Sequence, residues 1–227
     1  ILGAQNVVYA STYNKVKKVI ALSTDKASSP INLYGATKLC SDKLFISSNN
    51  FFGKRQFVVV RYGNVAGSRG SVLPLFIDQA KKNEFTVTDP KMTRFNISLE
   101  RGIKTVEWTV NNCLGGEIVV PKIKSYKILD VINSFSNKPK IKTIGIRFGE
   151  KIHEEMISIH DSKNTYKIGD YYVILPHGDK KILNFYRSKT KSKKVESNFS
   201  YTSDGNKEFM TISEIKKTVN EIVKKII

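Results

Sequence analysis

The feature of this sequence that most constrains its fold is a series of short apolar runs separated by helical patterns. Strands are predicted over 17–23, 56–62 and 117–120, and the centre of the second is three consecutive valines, Val58-Val59-Val60. Such uninterrupted runs are typical of parallel strands that are buried on both faces. Helices are predicted between them, over 33–49 after a cap at Asn32, and from Ser98 to the glycine pair Gly115-Gly116. This alternation predicts an α/β fold with a mainly parallel sheet.

The rest of the chain carries weaker patterns. Further helices are predicted over 73–82, 128–135, 150–157 and 213–226, and further strands over 85–88 and 141–147. The glycine- and serine-rich stretch 63–71 is predicted to be a loop, and the polar stretch 187–207 a loop or mobile arm. From about residue 161 the alternation weakens until the last helix, so this region is the least determined by its pattern.

Composition excludes several classes of protein. A chain of 227 residues can bury roughly 70% of its unfolded surface, so it needs neither disulfides nor metal to fold. Its two cysteines form no CxxC pair, and its three histidines have no metal-ligand spacing, so no metal site is predicted. No apolar run approaches the roughly 20 residues of a membrane helix. We therefore expect a cytoplasmic protein, and an anchor upstream of residue 1 stays open.

The net charge of +18 raises the question of polyanionic partners. The excess comes from 31 lysines against only 7 arginines, and apart from a cluster at 189–194 the lysines are scattered. Arginine is the better bidentate reader of phosphate and guanine. A solvated lysine-rich surface is therefore favoured and no nucleic-acid partner is expected. A basic module that binds nucleic acid or a membrane surface, or an inactive remnant, stays as the alternative.

The first predicted strand delivers a polar cluster, Ser23-Thr24-Asp25-Lys26, to the carboxyl edge of the sheet, where functional residues of open parallel sheets lie. On the helix that follows, Tyr34 and Lys38 are spaced i and i+4 and share one face. A nearby ammonium favours the phenolate, so a tyrosine placed in this way can act as a base near neutral pH. The i, i+4 spacing alone is weak evidence for a catalytic pair. The position of Tyr34 and Lys38 after this strand end strengthens the evidence.

The whole string from Ala21 to Lys38 resembles the active-site segment of the extended short-chain dehydrogenase/reductases that act on nucleotide sugars. More narrowly, it is similar to the inverting UDP-N-acetylglucosamine 4,6-dehydratases, which epimerise carbon 5. Three later segments resemble the same family in order and spacing, namely 61–72, 88–95 and 146–154. The similarity runs from residue 1 to about 157, and loosely to the end.

The resemblance implies a Rossmann-like parallel sheet with a smaller α/β substrate-binding domain. Residues 1–72 would be the remainder of the NADP-binding domain. Residues 73–160 would be mainly the substrate-binding domain, with segments returning to the Rossmann sheet. Residues 161–227 would form a C-terminal extension that ends in an amphipathic helix. The relatives also suggest a homo-oligomer for the full-length chain.

The resemblance further implies a dehydration of UDP-N-acetylglucosamine that uses bound NADP, with NAD as the alternative. Tyr34, with Lys38 and Thr24, would deprotonate the 4-hydroxyl. Lys26 would then remove the proton on carbon 5, and Asp25 would protonate the leaving 6-hydroxyl. Retaining dehydratases have Asp-Glu at this position, so Lys26 indicates inversion at carbon 5. The product would be a UDP 4-keto-6-deoxy-L-arabino-hexosamine, an early intermediate of pseudaminic acid-type surface sugars.

The remaining functional residues are carried over by matching position. Those expected around the cofactor are Leu22, Ser23, Tyr34, Lys38, Val65, Ala66, Gly67, Ser68 and Arg69. Those expected around the UDP-sugar are Asn64, Val72, Thr88, Arg147 and Glu150. A guanidinium suits a diphosphate and a carboxylate suits ribose hydroxyls. An ion pair between Arg147 and Glu150 is the competing interpretation, as is a plain salt bridge for Asp25 and Lys26.

The sequence departs from the family pattern in two places. No glycine-rich dinucleotide turn precedes Ile1 or occurs elsewhere, so we expect a fragment that lacks roughly 100 residues and is inactive by itself. Phe148 stands where the family has proline. Another nucleotide-sugar enzyme of the same superfamily, such as a 4-epimerase, is the enzymatic alternative. Loss of water from UDP-N-acetylglucosamine would separate the two, because 4-epimerases eliminate no water.

Overall fold

The computed structural model describes residues 1–51, 56–68, 70–189 and 192–226. The chain divides into two compact units that alternate along it. The sheet unit comprises Ile1–Tyr62, Glu100–Lys122 and Glu155–Tyr201. The second unit contains the cavity described below and is called the cavity unit. It comprises Gly63–Leu99, Ile123–Glu154 and Thr202–Ile227.

The helices and strands alternate as the apolar runs predict. The α-helices are α1 (Leu2–Tyr13), α2 (Leu33–Phe51), α3 (Val72–Ala80), α4 (Leu99–Asn112), α5 (Ile128–Asn133), α6 (Ile159–Ser162), α7 (Lys180–Lys189) and α8 (Ile212–Ile226). The strands of the first half are β1 (Lys18–Thr24), β2 (Gln56–Tyr62), β3 (Asn64–Val65), β4 (Glu84–Val87), β5 (Thr93–Ile97) and β6 (Ile118–Pro121). Those of the second half are β7 (Ser125–Lys127), β8 (Lys140–Thr143), β9 (Glu155–Ile157), β10 (Thr165–Ile168), β11 (Tyr171–Ile174), β12 (Lys193–Lys194) and β13 (Tyr201–Thr202).

The sheet unit is built on a six-stranded sheet with the order β1-β2-β6-β11-β10-β12. Strands β1, β2 and β6 are parallel, as their buried apolar runs predict, with Ser23 opposite Arg61 and Val60 opposite Val119. The other three strands join in antiparallel fashion, because β10 and β11 form a hairpin that adds to β6. Within the parallel half, strand β1 ends at Thr24. This is the edge of the sheet at which the sequence predicts the candidate catalytic residues.

The sheet unit also contains a buried carboxylate, Glu117, at the turn between α4 and β6. Glu117 is fully buried and accepts hydrogen bonds from the amides of Leu114 (2.7 Å) and Gly115 (2.6 Å). It also accepts one from the Tyr186 hydroxyl on α7 at 3.1 Å. Burial, together with the nearby Glu117 carboxylate, raises the pKa of Tyr186. The phenol consequently stays protonated and anchors α7 to this turn.

The cavity unit is held together by a parallel pair, β4 with β8, and by a three-stranded sheet, β3-β5-β7. Helix α8 buries Ile215, Val219 and Ile222 in the core of this unit. The helix starts with a reciprocal cap, in which the Glu214 carboxylate accepts from the Thr211 amide and the Thr211 hydroxyl accepts from the Glu214 amide. The predicted helix over 213–226 is confirmed.

The largest departure from the predicted elements lies at 150–157. The predicted helix there is wrong, because β9 is the only regular element in this range. Gly149 has a φ of +75°, and the carbonyls of Lys151 and Ile152 accept hydrogen bonds from the Arg94 guanidinium. Carbonyls that are bound in this way do not serve a helical ladder, so a long-range contact overrides the local pattern.

Residues 161–201 hold more regular structure than their sequence pattern indicates. The predicted loop over 187–207 is wrong at its start, because α7 continues to Lys189 and β12 pairs with β10. Short strands that gain their stability from pairing carry little local signal.

The boundaries of the compact units also differ from the predicted domains, since the chain leaves the sheet unit at 63 and the segment 161–227 is shared between both units.

Candidate active site

At the end of β1, three consecutive residues form a hydrogen-bonded cluster. The Thr24 hydroxyl donates to Asp25 Oδ1 at 2.8 Å and accepts from the Lys26 amide at 3.3 Å. Lys26 Nζ lies 3.0 Å from the same Asp25 oxygen. Residues 25–27 form a single 3₁₀ turn that Thr24 caps. The three side chains are therefore joined by hydrogen bonds between consecutive residues of one turn.

Asp25 and Lys26 differ in exposure. The Asp25 side chain is fully buried, whereas the Lys26 side chain is 36% exposed. The second carboxylate oxygen, Oδ2, is buried and has no hydrogen-bond partner within the described part of the chain. A buried carboxyl oxygen with unused hydrogen-bonding capacity, next to an accessible amine, is a suitable arrangement for moving a proton between the two groups.

Helix α2 presents Tyr34 and Lys38 close to this strand end. The helix begins with the predicted cap, because the Asn32 side chain accepts from the Gly35 amide at 2.8 Å. Lys38 Nζ donates to the carbonyl of Leu22 on β1 at 3.2 Å, so it is tied to the strand. Tyr34 is 55% exposed, which leaves its hydroxyl accessible to a ligand.

Gly35, which the sequence reasoning did not single out, allows this close approach. A Cβ at position 35 would lie 2.5 Å from the Lys26 carbonyl oxygen and 2.9 Å from Pro30 Cβ. No other residue fits without displacing the strand end from the helix. A glycine directly after the candidate tyrosine was the available sequence signal.

The candidate cofactor residues of β1 are arranged differently from one another. Leu22 is 53% exposed, while Ser23 is buried. The Ser23 hydroxyl has no hydrogen-bond partner among the residues described. Such a buried hydroxyl has capacity for a polar ligand group.

Among the other candidate cofactor residues, Val65 ends β3 in the cavity unit, and Ala66, Gly67 and Ser68 form the segment that follows it. The Ala66 amide donates to the Ile97 carbonyl at 2.9 Å, and the Ser68 amide to the Val65 carbonyl at 3.2 Å. Gly67 has a φ of +76°, and a Cβ there would lie 2.9 Å from a side-chain carbon of Ile222 on α8. This turn is therefore supported directly by the last helix. Arg69 lies outside the described residues.

The five candidate UDP-sugar residues all line one cavity of the cavity unit, with a volume of about 460 Å³. They are Asn64, Val72, Thr88, Arg147 and Glu150. This volume falls in the range of roughly 300–1,000 Å³ that ligand sites occupy. The pairing of β4 with β8 brings the later residues to the earlier ones, since Val87 lies opposite Thr143 and accepts from the Ile144 amide at 2.9 Å.

The side chains of Arg147 and Glu150, both in this cavity, do not form an ion pair with each other. Glu150 Oε1 lies 3.4 Å from the Thr88 hydroxyl and 3.9 Å from the Arg94 guanidinium. Arg147 contacts Glu150 through its backbone, since its amide donates to the Glu150 carboxylate at 3.3 Å and its carbonyl accepts from the Glu150 amide at 3.1 Å. Within the described part of the chain, the Arg147 guanidinium has no ion-pair partner. The arrangement leaves this cation available to an anionic group in the cavity.

Arg94 is a residue of this cavity to which the sequence reasoning gave no role. Its guanidinium is almost buried and donates to the carbonyls of Thr93 (2.7 Å), Ile152 (2.8 Å) and Lys151 (3.0 Å). It also lies 3.8 Å from Glu154. Arg94 thus ties the segment around 150–154 to β5 and positions Glu150. Its strand β5 mixes polar and apolar residues, so the local pattern gave no signal for this role.

Comparison with known proteins identifies the family. A family model described as "Polysaccharide biosynthesis protein" matches residues 1–176. The chain belongs to the polysaccharide biosynthesis protein family. It is 48% identical over 229 residues to a UDP-N-acetylglucosamine 4,6-dehydratase (inverting) from Campylobacter jejuni, covering 97% of this chain and 68% of that protein. The resemblance deduced from the motifs is confirmed.

Two further matches have lower sequence identity. A UDP-glucose 4-epimerase from Rickettsia bellii is 40% identical over 225 residues, covering 96% of this chain and 65% of that protein. The X-ray structure of Pen from Bacillus thuringiensis superimposes with a TM-score of 0.82 at 33% identity, covering the whole of this chain and 68% of that one. The predicted α/β fold with a Rossmann-like parallel sheet is thereby confirmed.

Two further features of this family member concern metals and membranes. No group of three or more histidine, cysteine or acidic side chains that could hold a metal ion occurs among the described residues. His153 instead contacts the Thr93 hydroxyl through Nδ1 at 2.8 Å. In the same part of the chain, no helix combines the length and apolar character that crossing a bilayer requires.

Proposed function

We propose that this chain carries the catalytic residues and the nucleotide-sugar cavity of a configuration-inverting UDP-N-acetylglucosamine 4,6-dehydratase. The observation that carries the proposal is the pair formed by Asp25 and Lys26 at the carboxyl end of β1, with 3.0 Å between Nζ and Oδ1. An acid and a base at one strand end are what a loss of water requires. The product would be a UDP 4-keto-6-deoxy-L-arabino-hexosamine, a precursor of pseudaminic acid-type surface sugars.

The first step uses Tyr34 as the base. Tyr34, as the phenolate, takes the proton of the substrate 4-hydroxyl, and Thr24 would assist by donating a hydrogen bond to the same oxygen in place of Asp25 Oδ1. Lys38, held by the Leu22 carbonyl, stabilises the phenolate that the step needs. Ser23, Tyr34 and Lys38 would contribute to holding a nicotinamide dinucleotide, which would supply the hydride chemistry at carbons 4 and 6. The buried Ser23 hydroxyl, with its unused capacity, fits such a polar ligand.

The second step uses the pair. Proton transfer from Lys26 to Asp25, over the 3.0 Å between Nζ and Oδ1, would produce a neutral amine and a carboxylic acid. Lys26 then removes the proton of carbon 5, which the 4-keto group acidifies. Asp25 donates its proton to the 6-hydroxyl, which leaves as water. Protonation of carbon 5 from the opposite face completes the inversion.

The cavity of about 460 Å³ is proposed to hold the UDP part. The unpaired guanidinium of Arg147 suits the diphosphate, because its fork donates two hydrogen bonds to phosphate oxygens. Glu150, positioned by Arg94, suits the ribose hydroxyls as an acceptor. Asn64, Val72 and Thr88 complete the polar and apolar walls.

Product NMR in heavy water, on the complete chain as the cell makes it, tests the proposal. We expect loss of water from UDP-N-acetylglucosamine, one deuterium on carbon 5 and an inverted configuration there. A 4-epimerase would return a sugar that keeps its 6-hydroxyl, which would overturn the proposal. Lys26→Glu should abolish the inverted product, whereas Lys43→Glu, an equal charge change at an exposed position of α2, should retain it.

A further inference from the structure

A second cavity, of about 230 Å³, lies in the sheet unit and is lined by four cations. They are Lys163, Lys180, Arg187 and Lys194. We call this cavity the basic pocket. It includes part of the lysine-rich stretch that the family resemblance leaves without a role.

The fold brings these cations together from separate elements. On α7, Lys180, Leu183 and Arg187 are spaced i, i+3 and i+7, so they form one stripe of the helix. On β12, Lys194 lies opposite Tyr166 of β10, and both line the pocket. Their neighbours Lys193 and Lys167 point to the other face of the sheet, because side chains alternate along a strand.

The charge in the pocket is not neutralised. Within the described ranges, none of the four cations forms an ion pair. The only carboxylate in the lining, Asp179, accepts a hydrogen bond from the Ile182 amide at 3.0 Å and caps α7. The lining therefore has a formal excess of positive charge, which favours an anion with more than one negative charge.

The remaining lining fits a small phosphorylated ligand. Gly178 has a φ of +79°, and no heavy atom lies within 4 Å of the place where its Cβ would be, so a ligand can approach the first turn of α7 there. Helix N-termini favour anions through their amides and dipole. Tyr166, Leu175 and Leu183 provide an apolar floor. The volume is below the roughly 300 Å³ at which sites for drug-sized ligands begin.

We propose that the basic pocket binds a phosphate or diphosphate group carried by a small ligand. Either a free phosphorylated metabolite or the headgroup of an anionic lipid presents this chemistry. The proposal is independent of the function argued above, because every lining residue belongs to the sheet unit and none has a role in that function.

Binding of inorganic diphosphate to the complete chain, measured by calorimetry at low salt, tests the proposal. The variant K180A/K194A should lose at least about 10-fold in affinity, because it removes two of the cations that line the pocket. The matched variant K181A/K193A removes the same charge from the same helix and strand but from residues outside the lining. It should lose less than about 2-fold. Equal losses would mean a general effect of surface charge and would overturn the proposal, as would an absence of binding to the wild type.

Hydrogen exchange on the wild-type protein keeps the test valid if a variant misfolds. Diphosphate should protect amides around 163–164 and 178–187, and protection confined to other segments would overturn the proposal. Vesicles with and without phosphatidic acid separate the two sources. A lipid headgroup predicts vesicle binding that K180A/K194A abolishes, whereas a free metabolite predicts diphosphate binding without it. Equal binding of both double variants to a nucleic acid, with no effect of diphosphate, would also contradict the assignment.

Discussion

The two candidate functional regions are built in opposite ways. At the end of β1, Thr24, Asp25 and Lys26 are consecutive and bind one another, and Tyr34 and Lys38 follow on the next helix. The cavity of the other unit instead gathers residues from Asn64 to Glu150, which long-range strand pairing and a buried arginine hold in place. Local turns can therefore preserve the chemistry of the first region, whereas binding in the second depends on the whole unit.

The largest effect is expected at the strand-end region. Tyr34→Phe should lower kcat by about 10²–10⁴-fold, because the proposed first step would lose its general base. The KM for the UDP-sugar should change little, since the cavity is untouched. Steady-state kinetics on the complete chain measures both. Tyr13→Phe, at a largely exposed position on α1, serves as control. A variant that loses affinity rather than turnover would erase the contrast between the regions.

Arg94→Met tests the long-range construction of the cavity. Without the buried Arg94 guanidinium, the carboxylates of Glu150 and Glu154 lose a nearby positive charge. The free energy of unfolding should therefore fall by about 3 kcal/mol. The KM for the UDP-sugar should also rise, because Glu150 and its segment lose their anchor. Thermal unfolding and kinetics are the measurements.

The matched comparison for Arg94 is Arg61→Met. Arg61 is also buried, but it pairs with Asp42 at 3.2 Å within the sheet unit and is not among the residues that line the cavity. Arg61→Met should lower the free energy of unfolding by a similar amount, without a selective change in the KM for the UDP-sugar. If both variants raised KM alike, the role of Arg94 in positioning Glu150 would be refuted.

A smaller effect is expected from Arg147→Gln. Loss of a charged hydrogen bond to phosphate is worth roughly 1.5–3 kcal/mol, so the KM should rise by at least about 10-fold while kcat changes little. Lys142→Gln removes the same charge from an exposed position of β8 outside the cavity lining and should have no such effect. A fall in kcat alone would place Arg147 with the chemistry rather than with binding.

The smallest effect concerns pH. The Lys124 side chain, together with the Thr211 amide, lowers the pKa of Glu214 to about 2 from its usual 4.5. Because the folded pKa lies below the unfolded one, the stabilisation is complete above pH 4.5 and is lost as the pH falls towards 2. Hydrogen exchange should therefore increase in α8 over this window, and less in β1.

The control for this pH effect is a pair of substitutions. Glu214→Gln should remove the additional acid sensitivity of α8, while Glu208→Gln, at an exposed position, should keep it. Since Ile222 of α8 supports the turn at Gly67, the effect belongs to the cavity unit. If hydrogen exchange in β1 increased in acid as much as in α8, the acid effect would not be specific to the cavity unit.

The extent to which the sequence predicted this molecule follows the same division. The strand before Thr24, the cap at Asn32 and the helix with Tyr34 and Lys38 all lie where their local patterns predict them. The role of Arg94 was not predictable, because its partners at 151 and 152 are distant in sequence. The helix predicted over 150–157 failed for the same reason.

The sequence by itself determined the α/β class, the parallel strands and the polar cluster that ends β1, because buried runs and adjacent residues act through local periodicity and short hydrogen bonds. Only the tertiary structure decided that Thr88 and Glu150 share a cavity and that Arg187 and Lys194 line another. Those arrangements depend on which strands pair and in which register. Strand pairing joins segments far apart in the chain, and its free energy comes from contacts that no local pattern records.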